Sequence, residues 1–268
     1  MSAGDEAAAL DFLDAAPYEN VFLSWAIASP LRPFAGASIY IYKDGPTVAG
    51  VAFFARHMVL AANTDAAIEA FAELARSNPN DAMIVGERGV VQRYWDRIRG
   101  WHAPPRLVRE RQPLLAVDKA ALELQPDATV AARLAKPNEW KIVADNSAAM
   151  IQEELEYDPR AGSRDFDESV RAAVARRTWW VGESAEGLCF FCNAGPRSSH
   201  TLQLQGIWTP PHLRRRGYGA AAMSQICGAL LREVPTLSLY VNDFNAPALA
   251  LYARLGFWKA GELSTLMF

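Results

Sequence analysis

The residues best placed to do chemistry lie in one short stretch of this sequence. Residues 205–222 read QGIWTPPHLRRRGYGAAA. An apolar strand over 202–209 ends in a Pro-Pro turn. A basic loop follows, formed by Arg214, Arg215, Arg216, Gly217, Tyr218 and Gly219, and Ala220 enters an alanine-rich helix. First-turn amides of a helix lack intrahelical partners and carry the positive end of its dipole, so the junction suits an anion. Gly217 and Gly219 let the backbone come closer to a diphosphate than a Cβ would allow. Guanidinium groups match phosphate oxygens. The bland alternative is a solvated basic turn. The spacing R-x-x-G-x-G is neither G-x-x-x-x-G-K-[ST], a P-loop, nor G-x-G-x-x-G, a dinucleotide site.

A second constellation follows a strand at 237–241: residues 245–257, NAPALALYARLGF. Asn245 and Tyr252 are spaced by roughly two helical turns and can share a face. A phenol titrates near ~10, so Tyr252 holds its proton at neutral pH and can donate it to a leaving thiolate of thiol pKa about 8.5. The alternative is an aromatic packed on a helix.

Taken together and in this order, the two segments resemble the acetyl-CoA motif and the second signature of the GNAT acyltransferase superfamily. The resemblance implies an N-acetyltransferase that moves acetyl from acetyl-CoA to a primary amine on a small molecule or protein lysine. It implies that Ile207, Trp208 and Thr209 pair with the pantetheine arm as a strand would. The pyrophosphate would lie on the amides from Arg215 to Ala220, and the sequence does not decide which of Arg214, Arg215 and Arg216 touches phosphate. Asn245 would lie near the cofactor, and Tyr252 would act as general acid. One departure stands out. Many family members carry a Glu on the strand before the Asn, where this chain has Tyr240 in LSLYVND. Glu153, Glu154, Glu183 or a water chain could serve as base, and the sequence does not rank them. A non-catalytic acyl-CoA sensor, or transfer of a bulkier acyl group, therefore remains open.

Composition agrees with a globular protein. Of 268 residues, 51% are hydrophobic and 21% charged. The formal net charge of -3 gives no electrostatic footprint for nucleic acid. No window approaches the ~20 apolar residues needed to span a bilayer. The N-terminal MSAGDEAAAL is acidic where a secretory leader is basic, so a cytoplasmic location is expected. Three cysteines form no disulfide framework. Cys189 and Cys192 have C-x-x-C spacing but sit in an apolar run, which reads as buried strand thiols. Four scattered histidines give no ligand pattern, and no metal is expected.

The elements that must hold these residues alternate as strands and helices throughout. In the second half, a strand at 130–134 and a helix opened by Pro137-Asn138-Glu139 precede an acidic, irregular stretch, YDPRAGSRDFDES. A helix at 170–176 and strands at 178–183 and 188–193 lead to the motif. Strands at 257–260 and 264–268 close the sheet. In the first half, two helices are followed by breaks at Pro30 and Pro33. A hairpin crosses Asp44-Gly45-Pro46, a strand covers 58–62, and Asn63-Thr64-Asp65 caps the helix DAAIEAFAELARS. A strand at 83–85, a helix at 90–98 and two strands at 106–111 and 114–117 complete it.

This order repeats that of the second half, so an internal duplication of architecture is expected. The expected fold is α/β (α+β), two GNAT-like domains at 1–125 and 126–268, each a mixed, mostly antiparallel sheet flanked by helices, linked at 126–128. An acidic residue stands where the second copy has RRRGYG, so the first copy is expected to bind no CoA. The stretches FLDAAPYENVFL and RLVRERQPLL also look like the accessory domain of some actinobacterial-type GNAT proteins.

Overall fold

The computed structural model describes residues 3–29, 36–77, 82–125, 129–162 and 165–268. The breaks expected at Pro30 and Pro33 and the linker expected at 126–128 lie outside them.

Helices α1 (Ala3–Leu13) and α2 (Val21–Ala28) come first. Strands β1 (Ser38–Asp44) and β2 (Thr47–Phe54) form the expected hairpin. Then follow β3 (His57–Ala62), α3 (Asp65–Ser77), β4 (Met83–Glu87), α4 (Arg88–Ile98) and β5 (Leu107–Asp118). Helix α3 is amphipathic at helical spacing, burying Ala67, Ile68, Phe71, Ala72 and Ala75.

The second half begins with β6 (Ala131–Leu134), a 3-10 turn at Pro137–Glu139, α5 (Trp140–Leu155), α6 (Pro159–Gly162) and α7 (Phe166–Ala175). The stretch expected to be irregular therefore includes a short helical turn. Next come β7 (Trp179–Ser184), β8 (Gly187–Arg197), β9 (Thr201–Trp208), α8 (Tyr218–Leu230), β10 (Thr236–Tyr240), α9 (Ala246–Arg254) and β11 (Trp258–Met267).

Among the described residues, all eleven strands join one sheet in the order β1-β2-β3-β4-β11-β5-β10-β9-β8-β7-β6. Two neighbouring pairs are parallel, β3 with β4 and β9 with β10. The other pairings are antiparallel. Each half has a strand pair, a strand, a helix, a parallel strand and a helix. The halves then exchange strands. The second half's β11 sits between β4 and β5, and the first half's β5 sits between β10 and β11.

Two expectations change here. Residues 106–111 and 114–117 belong to one strand, β5, and 257–260 and 264–268 mostly to another, β11. Pro113 made the first look broken, since proline cannot donate to a ladder. It is accommodated opposite Glu262, near a register shift in β11 between Lys259 and Gly261. The extra residue, Ala260, absorbs the irregularity as a bulge.

The largest core cluster lies in the second half, where α8 packs Ala221, Ala222, Met223, Ile226 and Cys227 against β8, β9 and β10. Cys189, Cys192 and Cys227 are free and buried. Burial raises the thiol of Cys192 and pushes that of Cys227 up to about 12, so neither is a ready nucleophile. No helix of the described residues is long and apolar enough to cross a membrane.

Candidate active site

Strands β9 and β10 form a V. They pair at Thr201–Thr236, Leu202–Leu237 and Gln203–Ser238, and no further. The closed end is pinned by the fully buried Thr201 hydroxyl, which donates to Ser238 Oγ at 3.1 Å. Beyond Gln203, β9 follows β8 instead, reaching Trp208 opposite Phe191. A bulge steers it. Gly206 has φ +58°, and a side chain there would also press on the Trp179 ring, 3.0 Å from its Cβ. The lone glycine inside an apolar strand was the available signal for that bulge. The divergence leaves the β9 backbone around Ile207 and Trp208 without a β10 partner, as a strand-like ligand requires.

The loop above the V is held open by glycine and positive φ. A 3-10 turn (Pro211–Leu213) follows Pro210. Arg215 and Gly217 take left-handed conformations, φ +64° and +85°. Gly217 is the N-cap of α8 and offers no side-chain cap. The amide of Ala221 finds the Gly217 carbonyl at 3.1 Å. Among the described residues, the amides of 215–220 meet no protein acceptor. Gly219 lies against Thr209, whose hydroxyl would be 3.3 Å from a Cβ added there. A ring of unpaired amides at a dipole's positive end, with no side chain filling it, fits a diphosphate.

The arginines differ from one another. Arg214 forks onto Glu153 at 2.9 Å, donates to the Thr209 carbonyl at 3.0 Å and stacks over the Trp208 ring. Arg216 and the Tyr218 hydroxyl both turn to Glu186 in the β7–β8 turn. Those two donors, Tyr218 foremost, hold the Glu186 carboxyl below its usual pKa. Three free charges at the loop were expected; two guanidiniums are tied to carboxylates. Arg215 alone of the three meets no carboxylate among the described residues. The Trp208 indole N–H is buried without a partner among the described residues.

On the other arm of the V, α9 starts at Asn245, whose Oδ1 accepts the amide of Ala248 at 3.2 Å. Sequence spacing suggested a face shared with Tyr252; the structure uses the Asn245 oxygen as a helix cap. Tyr252 is 5% exposed and packs its ring beside Phe257. Burial raises its pKa, with Cys192 and Glu154 adding to the effect, so the phenol stays protonated across the working range.

Geometry also separates the three carboxylates that sequence left equal. Glu183 is bound to Arg133 near the sheet edge, and Glu153 is clamped by Arg214. Glu154 keeps contact with solvent. Desolvation and the neighbouring Glu153 raise its pKa against the opposing pull of Arg109 and Arg214. Its charge also acts on Tyr240 and Tyr252, so the three groups lie near one another. The first half supplies the support. Arg109 of β5 donates to the Glu154 carbonyl at 2.9 Å and Arg106, just ahead of β5, to that of Leu155 at 3.3 Å, two cations at the negative end of α5. Arg109 also stacks on Phe244, ahead of α9. Sequence carried no signal for this contact, since it depends on the strand exchange.

Comparison with known proteins agrees with this geometry. Residues 146–257 match the family described as Acetyltransferase (GNAT) family, and residues 37–143 match a domain of unknown function, DUF4081. A mycothiol acetyltransferase of Acidimicrobium ferrooxidans is 35% identical over 104 residues. That stretch is 35% of this chain and 34% of the relative, so the chain matches about a third of that protein's length. Solved structures share the fold across the whole chain. A Drosophila protein has a TM-score of 0.70 at 12% identity, covering 100% of this chain and 97% of that one. A tandem GNAT protein from the clavulanic acid biosynthesis pathway has 0.56 at 14%, covering 98% and 94%. Motif and family match coincide: the β9–α8 loop and α9 lie within residues 146–257, the stretch that matches the acetyltransferase (GNAT) family.

Proposed function

We propose that the second half transfers an acetyl group from acetyl-CoA directly to a primary amine. One observation carries the reading: the V between β9 and β10 ends in a loop whose amides at 215–220 have no protein acceptor among the described residues. The backbone of Ile207, Trp208 and Thr209 would hold the pantetheine arm. The amides at 215–220 and the Arg215 guanidinium would hold the phosphates. Arg214 and Arg216, already paired, would set the loop's shape.

Acetyl-CoA would supply the activated acyl group. On the chain's side, Glu154 takes a proton from the acceptor ammonium, for which its raised pKa brings it nearer the amine's own. Tyr252 donates its proton to the departing sulfur, being neutral throughout. Closeness and orientation supply most of the acceleration, since no covalent enzyme intermediate is needed. We read the chain as two units, 1–125 and 126–268, the first without a CoA site, working in the cytoplasm.

Titration calorimetry of acetyl-CoA and CoA tests the cradle, with one site per chain expected. No binding removes the reading. An acceptor screen by thiol release follows, covering small amines, peptide N-termini, lysine side chains and the substrate of the mycothiol acetyltransferase relative. Tight binding with no acceptor at all would favour the sensor, the reading that Tyr240 in place of a Glu keeps open.

A further inference from the structure

The first half holds a recess of about 760 Å³ that this chemistry does not use. It opens where β3 and β4 stop pairing, past Leu60 and Gly86, at the counterpart of the β9–β10 V. Apolar walls come from Phe12 of α1, Val48 of β2, Ala61 of β3 and Val90 of α4. Size and lining are those of a small-molecule pocket.

Its charged side chains are three acids, Asp11, Glu19 and Glu87, against one arginine, Arg93. Glu87 spends both carboxylate oxygens on the amides of Gly89 and Val90, at 2.8 Å each, and meets no cation among the described residues. Glu19 is partly buried on the loop between α1 and α2, and has no hydrogen bond or ion pair among the described residues. Burial, and then the Glu87 charge, raise its pKa. Its carboxylate lies over β11, where a Cβ on Gly261 would collide with Oε1. Arg93 also lines the recess, but it is engaged by Asp65 at 3.0 Å and the Ala62 carbonyl. A carboxylate in an apolar hollow beside a second carboxylate lacks a positive partner. A diphosphate does not suit the place, because Thr64 already caps α3 and Asp65 stands at its mouth.

We infer that this recess binds a small organic cation, a primary ammonium on a compact apolar body, with the ammonium on Glu19 and the body against Phe12 and Val90. The inference is independent of the acetyl-CoA reading. The probe is 2-phenylethylamine, titrated into the full chain at neutral pH, with 2-phenylethanol as its uncharged match. One amine per chain is expected to bind at this recess, with the alcohol bound at least roughly tenfold more weakly, as loss of a charged hydrogen bond predicts. Glu19→Gln is expected to weaken the amine by a similar factor. Ala15→Trp, filling the recess from an exposed rim position, should abolish binding while melting temperature reports the fold. Equal binding of amine and alcohol, or unchanged amine affinity in both variants, overturns the inference. Acetyl-CoA affinity of Glu19→Gln, read in parallel, stays at the wild-type value, so neither reading carries the other.

Discussion

The turn from β3 into α3 and the turn from β9 into α8 stand at equivalent places in the two halves, and they treat a helix mouth in opposite ways. In the first, the Thr64 hydroxyl accepts the amide of Ala67 at 3.2 Å, and Asp65 faces Arg93 and Arg97. The mouth is closed by its own chain. In the second, Gly217 caps nothing, and the amides before Ala221 have no protein acceptor among the described residues. The strands below differ in step. After their last pair, β9 runs five residues further, Leu204 to Trp208, whereas β3 runs only to Ala62. Two copies of one architecture thus differ in whether the donors at the helix mouth are filled and in how far the strand runs past its last pair.

That contrast can be broken, and the largest effect should come from Gly217. Its φ of +85° suits a glycine, and a β-branched side chain there costs several times the ~1–2 kcal/mol of an ordinary left-handed residue. Gly217→Val is expected to weaken acetyl-CoA by more than about a hundredfold in calorimetry, with circular dichroism unchanged. Unchanged affinity would mean the two mouths do not differ in function. Tyr252→Phe should lower kcat by about two orders of magnitude, the scale of a lost general acid, and leave the Kd for CoA nearly as it was.

Glu154→Gln should cost roughly tenfold to a hundredfold in kcat/KM. Its clearer sign is the pH profile. A base works ionised, so activity falls as pH drops through the Glu154 pKa, and that limb lies higher than an unperturbed glutamate would place it. The variant should lose the limb. A limb that persists would assign the proton to another group. Smallest of all, Thr64→Ala should destabilise the protein by about 1 kcal/mol through the lost cap, seen as a lower denaturant midpoint. It should create no second acetyl-CoA site, because Asp65 remains. A second site appearing would show that Thr64 alone closes the first mouth.

Much of this was legible in the sequence, for physical reasons. Period-two and period-3.6 apolar patterns set the hairpin and α3 nearly to the residue. Gly217 marked the turn into α8 because its φ of +85° suits few other residues, and Gly219 marked the close approach of Thr209. What escaped was non-local. Nothing in the local pattern of 107–118 or 258–267 says that each strand is claimed by both halves, and Pro113 argued against the first being continuous. Charge was over-read: three arginines in a row looked available, while Glu153 and Glu186, distant in sequence, neutralise two. Glu154 could not be ranked above Glu153 before Arg214 was seen to take the latter.

The exchanged strands also set the order in which this protein can come into being. While β11 is still unmade, β4 and β5 have no strand to bridge them, and β5 has only one of its two final neighbours in reach. A nascent first half therefore waits with open sheet edges, the kind of surface that recruits foreign strands. Closing it joins residues near 85 to residues near 265, pairings of long sequence separation that form slowly. Only when β11 is made can β4 and β5 be bridged into the single sheet.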